Sequence, residues 1–248
     1  MLTISNLVKS NFGNCILTVE MVLFNKQLGG KIMPSKSYST FLKNYKQVNK
    51  LKKAYEEELH KNPKRGKRDL DHYTRAAIMF LCSSFEVYFE DVLEESCKIL
   101  ANSCAHVDDL PKQVKKTISK HVRDSNNELE PCIFANNWKA YYLELVSDGI
   151  KGLNTPKMHN IEKYVSKYLG MNNLFDTTTY PFASIDDIIT ERGEIAHRLY
   201  GKTYIKEVVL IEDCDTIRDA VKEIDMTLYQ ELPKIIHKKP WNYTYITC

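Results

Sequence analysis

The chain has 248 residues, a formal net charge of +3, 43% hydrophobic residues and 10% aromatic residues. This composition supports a packed core and excludes wholesale disorder. The net charge is too small to indicate a nucleic-acid-binding protein by itself, so any affinity for RNA must come from where the basic residues lie.

Seven cysteines form an odd set without a C-x-x-C pair, which disfavours zinc fingers and disulfide frameworks. We expect free thiols in a reducing cytosol. The longest early apolar run, residues 15–24, contains Glu20 and is too short to span a membrane. These patterns predict a cytoplasmic protein without membrane association.

Residues 1–33 are weakly patterned and contain Gly29-Gly30. They are either a leader that precedes a natural start at Met33, or a short extra element that folds onto the domain. We therefore divide the chain into a leader or appendage at 1–33, a helical domain at 34–235 and a C-terminal tail at 236–248.

Apolar residues spaced by three and four predict a first helix from Tyr38 to Leu59 and a second from Asp69 or Asp71 to about Asn102. Between them, residues 61–68 contain a proline, a glycine and five basic residues, which indicates a loop. This loop either meets phosphate or is a solvated linker.

Leu110-Pro111 opens a helix whose apolar face is opposed by five basic residues, Lys112, Lys115, Lys116, Lys120 and Arg123. These side chains are candidate contacts for an RNA backbone. The alternative interpretation is an ordinary solvated helix surface.

Further helices are predicted from Asn137 to Gly149, around 161–169 with Gly170 as the C-terminal stop, and at 217–232 before Pro233. Residues 171–183 are a predicted loop. The β-branched run near 203–211 predicts a short strand or hairpin arm. The predicted fold class is all-α, with that strand as its one exception.

The segment 184–201, SIDDIITERGEIAHRLYG, has helix signals at both ends. A helical wheel places Arg192 at the centre of an apolar stripe formed by Ile185, Ile188, Ile189, Ile195, Ala196 and Leu199. A charged residue there needs a partner. The partner is either a structural carboxylate, with Glu86 and Glu90 as candidates, or a bound anion, or a second subunit.

His197 follows Arg192 by five residues, at roughly 140° around the helix. One turn earlier lies Gly193, which costs a helix about 1 kcal/mol relative to alanine, so we expect it to provide clearance for the imidazole. By itself His197 is either structural, simply exposed, or a group that transfers protons near neutral pH.

The segment Arg192-Gly193-Glu194-Ile195-Ala196-His197 resembles the R-x(4–6)-H signature of HEPN proteins. The stretches 75–78 and 83–90 are similar to the first long helix of the RiboL-PSP-HEPN subgroup, and Leu110-Pro111 and 160–170 fall where that subgroup has comparable elements. The resemblance covers roughly residues 35–232 and implies a HEPN-type helical bundle.

The resemblance implies a metal-independent endoribonuclease that works as a homodimer and needs no cofactor. Arg192 and His197 of both subunits would form one composite cleft, where the ribose 2′-hydroxyl attacks the adjacent phosphodiester and leaves a 2′,3′-cyclic phosphate. Glu86 is a candidate for orienting Arg192, and Arg198 joins the candidate RNA contacts. The implied role is that of a toxin or defence effector, restrained by an antitoxin or regulatory partner.

The sequence departs from the family at Gly193, where a polar residue, often asparagine, is common. The family also contains members that keep the bundle and have lost cleavage. The alternative function is therefore a non-catalytic HEPN module that dimerises or binds RNA or protein.

Overall fold

The computed structural model describes residues 34–61, 66–126, 128, 130, 137–153, 155–198 and 204–241. The helices are α1 (Lys36–Lys61), α2 (Asp71–Ser103), α3 (Lys112–Asp124), α4 (Trp138–Ile150), α5 (Met158–Leu169), α6 (Ala183–Arg198), α7 (Glu207–Glu231) and α8 (Pro233–Ile236). Short 3-10 turns occupy Lys67–Leu70, Val107–Asp109 and Leu174–Thr177. The described residues contain no strand, and the predicted all-α class is confirmed.

Helix α2 is the central element of the bundle. Its 33 residues correspond to a length on the order of 50 Å. Helix α1 packs along α2, and α4, α5, α6 and α7 also contact it. Large side chains such as Phe85, Tyr88 and Phe89 are fully buried on it. Residues from distant parts of the sequence therefore meet along its sides.

The prediction of a strand near 203–211 is wrong for the residues of this range that the structure describes. Residues 207–211 form the first turns of α7. Leu210, Cys214 and Ile217 recur at helical spacing and are buried, whereas β-branched residues cost a helix at most about 0.7 kcal/mol each. Burial of the helical face therefore outweighs the local preference, and Val208 and Val209 remain exposed.

Two carboxylates from other helices hold the start of α1. Asp225 of α7 accepts hydrogen bonds from the backbone N–H (3.0 Å) and the hydroxyl of Ser35 and from the Tyr88 hydroxyl at 3.3 Å. Glu95 of α2 accepts from the backbone N–H groups of Lys36 and Ser37 at 3.2 and 3.1 Å. The otherwise unpaired N–H groups of the first turn are thereby satisfied.

Asp225 makes the stability of the fold depend on pH. Burial raises its pKa to about 7, although the hydrogen bonds from Ser35 and Tyr88 lower it. An unfolded aspartate releases its proton near pH 3.9, so the folded protein holds more protons between these values. The free energy of unfolding therefore falls as the pH rises through this window, by up to on the order of 4 kcal/mol.

We expect Asp225→Asn, which carries no charge at any pH, to lose this contribution. In urea unfolding, the midpoint of the wild type should fall more steeply between about pH 4 and about pH 7 than that of Asp225→Asn. Other carboxyls titrate in both proteins, so the difference between the two slopes measures Asp225 alone. Equal slopes would contradict the assignment.

The α3–α5 contact requires a glycine. Gly170, which ends α5 as predicted, has φ +73°, and a Cβ atom there would lie 2.4 Å from Cβ of Pro111. Only glycine meets both the left-handed conformation and the close approach. The chain thus brings the start of the basic helix α3 against the end of α5.

Packing continues beyond residue 235, where the C-terminal tail is predicted to begin. Ile236 and Trp241 are buried, and the Trp241 ring centroid lies 6.2 Å from that of Tyr229. Residues 1–33 and 242–248 lie outside the described residues. Among the described helices, none has the length and apolar character needed to cross a bilayer.

Candidate active site

Helix α6 places Arg192 against the body of the bundle. Its apolar face packs on α2 and α7, and four isoleucines of the predicted stripe are buried: Ile185, Ile188, Ile189 and Ile195. Arg192 lies among them with 25% of its side chain exposed. Ala196 is exposed, so the buried part of the stripe ends at Ile195, and Leu199 lies outside the described residues.

Arg192 pairs with Glu86 of α2, the carboxylate predicted to orient it. The Arg192 Nη2 atom donates to Glu86 Oε2 at 3.2 Å, and the Glu86 side chain is 18% exposed. Arg192 Nε is buried and has no hydrogen-bond partner among the described residues. A guanidinium has five N–H donors in a planar fork, so the contact with Glu86 leaves donors that can bind a phosphate oxygen.

Half-buried carboxyls surround this pair. Burial raises the pKa of Glu86, and the nearby Arg192 lowers it only in part. Burial and then the charge of Glu86 raise the pKa of Glu90. Burial, followed by Glu191 and Glu212, raises the pKa of Asp213 to about 6. The surroundings of Arg192 are therefore desolvated and acidic, which makes its positive charge more important to the site.

His197 is exposed one turn beyond Gly193. Five residues of helix separate it from Arg192, which corresponds to about 7.5 Å along the axis and about 140° around it. One subunit therefore presents the two side chains on different sides of α6. The expected clearance role of Gly193 is wrong, because a Cβ atom there would meet nothing within 4 Å.

The open space around Gly193 predicts how an alanine at this position changes the stability of the fold. Alanine is favoured over glycine in a helix interior by about 1 kcal/mol, and here the added methyl group meets no neighbour. We expect Gly193→Ala to raise the free energy of unfolding by about 0.5–1 kcal/mol and to raise the melting temperature accordingly. Thermal unfolding followed by circular dichroism measures it, and a lower melting temperature would show that Gly193 has a contact that α6 alone does not reveal.

The basic residues of α3 lie on its solvent side. Lys112, Lys116, Lys120 and Arg123 are exposed, and Lys115 donates to the backbone oxygen of Asp108 at 2.8 Å. Helix α3 packs on α5, and the Thr117 hydroxyl donates to Lys167 O at 3.0 Å. The α3 cations are therefore on a different helix pair from Arg192, and Arg198 has no described side chain.

The described cysteines do not supply a nucleophile. Cys82, Cys97, Cys104 and Cys214 are free and buried, and burial raises the pKa of Cys82 to about 12 in spite of nearby Arg192. A thiol with such a pKa stays neutral and unreactive near pH 7. In the described ranges, no group of three or more His, Cys, Asp or Glu side chains is arranged to hold a metal ion.

An exposed apolar stripe on α2 lies beside the Glu86–Arg192 pair and was missed by the sequence analysis. Phe80 is 50% exposed and Val87 39% exposed, and the exposed Ser83 lies between them. Residues 80, 83 and 87 share one face of a helix. The sequence contained a signal for this stripe, because Phe80 and Val87 fall outside the apolar face of α2 that packs on the core.

Comparison with known proteins gives a family for most of the chain. The family model described as RiboL-PSP-HEPN matches residues 39–230. No curated protein and no solved structure matches the chain.

Proposed function

Because this chain belongs to the RiboL-PSP-HEPN family, we propose that it is a metal-independent endoribonuclease that acts as a homodimer. Membership by itself supports the coarser class, a ribonuclease or a nucleotide-binding module. The observation that carries the finer proposal is a guanidinium with a quarter of its side chain exposed, anchored by one carboxylate, five residues before an exposed imidazole on the same helix.

The residue types fit RNA cleavage by the 2′-hydroxyl. His197 removes the proton of the ribose 2′-hydroxyl, whose oxygen attacks the adjacent phosphorus. Arg192 stabilises the negative oxygens of the phosphorane through donors that Glu86 does not use. The bond to the 5′-oxygen breaks, and the partner's His197 returns a proton to that oxygen. The products are a 2′,3′-cyclic phosphate and a 5′-hydroxyl.

The apolar stripe on α2 supports the dimer. A half-exposed Phe80 next to Val87 on one helix face is costly in water and gains on burial. A two-fold contact through this face would bring Arg192 of both subunits close together, since Arg192 lies against Glu86, between residues 80 and 87 of the same helix. His197 of each subunit would then serve a cleft that neither subunit forms alone.

One observation favours the non-catalytic alternative, a HEPN module that binds RNA or protein without cutting. The carboxyls of Glu86, Glu90, Glu191 and Asp213 make the surroundings of Arg192 acidic, which opposes the approach of a phosphate. Gly193 adds no polar side chain to hold the RNA. For the endoribonuclease, we propose a toxin or defence role that is restrained by a separate antitoxin or regulatory protein.

The test uses labelled single-stranded RNA and the full chain in excess EDTA. We expect cleavage, cyclic phosphate and 5′-hydroxyl ends, and no cleavage of the same oligonucleotide made with 2′-deoxyribose. Cleavage that requires added metal, or that leaves 3′-hydroxyl ends, would refute the mechanism. A folded, dimeric protein that cuts none of these RNAs would establish the binding module instead.

A further inference from the structure

A cavity of about 210 Å³ lies between α3 and α4, away from Arg192. It is lined by His121, Asn137, Ala140, Tyr141, Glu144, Leu145 and Asp148. A volume of this size is below the roughly 300 Å³ of sites for drug-sized ligands, but it accommodates a single planar ring system. Its lining combines an apolar floor with several polar groups, the pattern of a small-molecule site.

Two aromatic rings form one wall of the cavity. The His121 Nδ1 and Tyr141 hydroxyl lie 2.5 Å apart, and their ring centroids are 6.0 Å apart with an interplanar angle of 45°. Tyr141 is buried, whereas His121 is exposed. The hydrogen bond fixes the imidazole in place and leaves its outer face open, and such a face can stack on an unpaired base.

Two carboxylates of α4 also line the cavity. Glu144 and Asp148 lie one turn apart on α4, so they share a face. Asp148 forms a surface ion pair with Lys151, with 2.8 Å between Oδ1 and Nζ. Glu144 is therefore the carboxylate that is more available for a ligand. A carboxylate accepts two hydrogen bonds side by side. The matching ligand therefore has two adjacent donors on a flat ring.

The charges around the cavity further restrict the class of ligand that it can bind. Acidic groups line it, but α3, which supplies His121, also has the exposed cations Lys116, Lys120 and Arg123, of which Lys120 lies nearest to His121, about 100° around the helix. A simple amine or a basic peptide would be repelled by these cations. A nucleotide suits both parts, since its base would enter the cavity while its phosphate meets the α3 cations.

Guanine is the base that meets these requirements. Its Watson–Crick edge places the N1–H and N2–H donors side by side, as a carboxylate requires, whereas adenine, cytosine and uracil place an acceptor next to each donor. We propose that this cavity binds an unpaired guanine of single-stranded RNA, with Glu144 as the specificity-determining residue and His121 as the stacking surface. This inference rests on the proposed function only in taking RNA as the substrate.

The cavity is separate from the cleavage site. Tyr142 of α4 lies near Cys97 of α2 and near Cys104, which directly follows the end of α2; they come 11 and 18 residues after Glu86. At 1.5 Å per residue these positions are about 16–27 Å from Glu86 along the helix axis. The guanine would therefore be a few nucleotides away from the bond that is cut, and it would select the RNA rather than take part in the reaction.

The test measures binding without cleavage, so it uses the full chain with His197→Ala. Fluorescence anisotropy gives Kd for a labelled octauridylate with one central position changed to guanine, adenine, cytosine or inosine, which lacks the 2-amino group of guanine. We expect the guanine oligonucleotide to bind at least tenfold more tightly than the inosine one. Glu144→Gln should reduce this preference to within about twofold, and Glu56→Gln, an exposed glutamate on α1, should leave it unchanged.

Three outcomes would overturn the proposal: equal Kd for all four oligonucleotides, no binding of any of them, or a Glu144→Gln effect of the same size on every oligonucleotide. The last would mean that Glu144 acts only through its charge. A guanine preference in a protein whose wild type does not cleave RNA would keep this site and refute the endoribonuclease. Cleavage without a base preference would support the endoribonuclease and refute the guanine site.

Discussion

His197→Ala is expected to fold and dimerise like the wild type and to cleave RNA at least a hundredfold more slowly. A positioned general acid or base contributes about 10²–10⁴-fold to a rate, and in the proposed dimer this change removes both imidazoles. Folding should be unaffected, because His197 is exposed near the end of α6 and alanine is a strong helix former. Toxicity on expression, if cleavage causes it, should be lost as well.

The measurement for His197 is a single-turnover cleavage rate, together with thermal unfolding of the same sample. His159→Ala is the matched control, because His159 is also an exposed histidine on a helix, α5. A His197→Ala protein that cleaves at the wild-type rate would place the chemistry elsewhere. An equal loss in both variants would indicate a general effect on the protein rather than a catalytic role.

Phe80→Glu is expected to convert the proposed dimer into a monomer at micromolar concentration and to abolish cleavage with it. The wild-type side chain is half exposed on the α2 stripe, where a large aromatic residue typically anchors an interface. In a two-fold contact the substitution places a carboxylate in each copy of the same patch, next to the acidic groups Glu86 and Glu90. The loss of dimer therefore combines lost burial with like-charge repulsion.

Analytical ultracentrifugation gives the mass, and the cleavage assay is run on the same preparation. Val208→Glu is the control, since Val208 is 63% exposed and lies on α7, outside the stripe. A monomeric Phe80→Glu protein that still cleaves would show that one subunit contains a complete site. A protein that remains dimeric would show that the stripe is not the interface.

Much of the candidate site is encoded in short-range pattern. The spacing of the isoleucines around Arg192 determines which face of α6 is buried, and that pattern is visible in the sequence. The sequence does not show whether Glu86 or Glu90 pairs with Arg192. The two carboxylates are one turn apart on α2, and a small shift of α6 along α2 would exchange them. The contact at 3.2 Å resolves that choice.

The predictions that were wrong or missing share a physical reason. The β-branched residues at 208–211 favour a strand locally, but the spacing of Leu210, Cys214 and Ile217 buries more surface as a helix. Asp225 bonds Ser35 across 190 residues of sequence, and His121 meets Tyr141 from another helix. Such pairings depend on how helices pack, and no local pattern specifies them.

The order in which the ribosome makes α2 and α6 has a consequence for the proposed endoribonuclease. Glu86 is synthesised 106 residues before Arg192, and α6 is in turn packed against α7, which follows it. A nascent chain therefore has α2 long before it has the helix that bears Arg192 and His197, and that helix lacks one of its supports until α7 emerges. Under the proposed function, the chain would leave its own messenger RNA uncut until α7 has emerged from the ribosome.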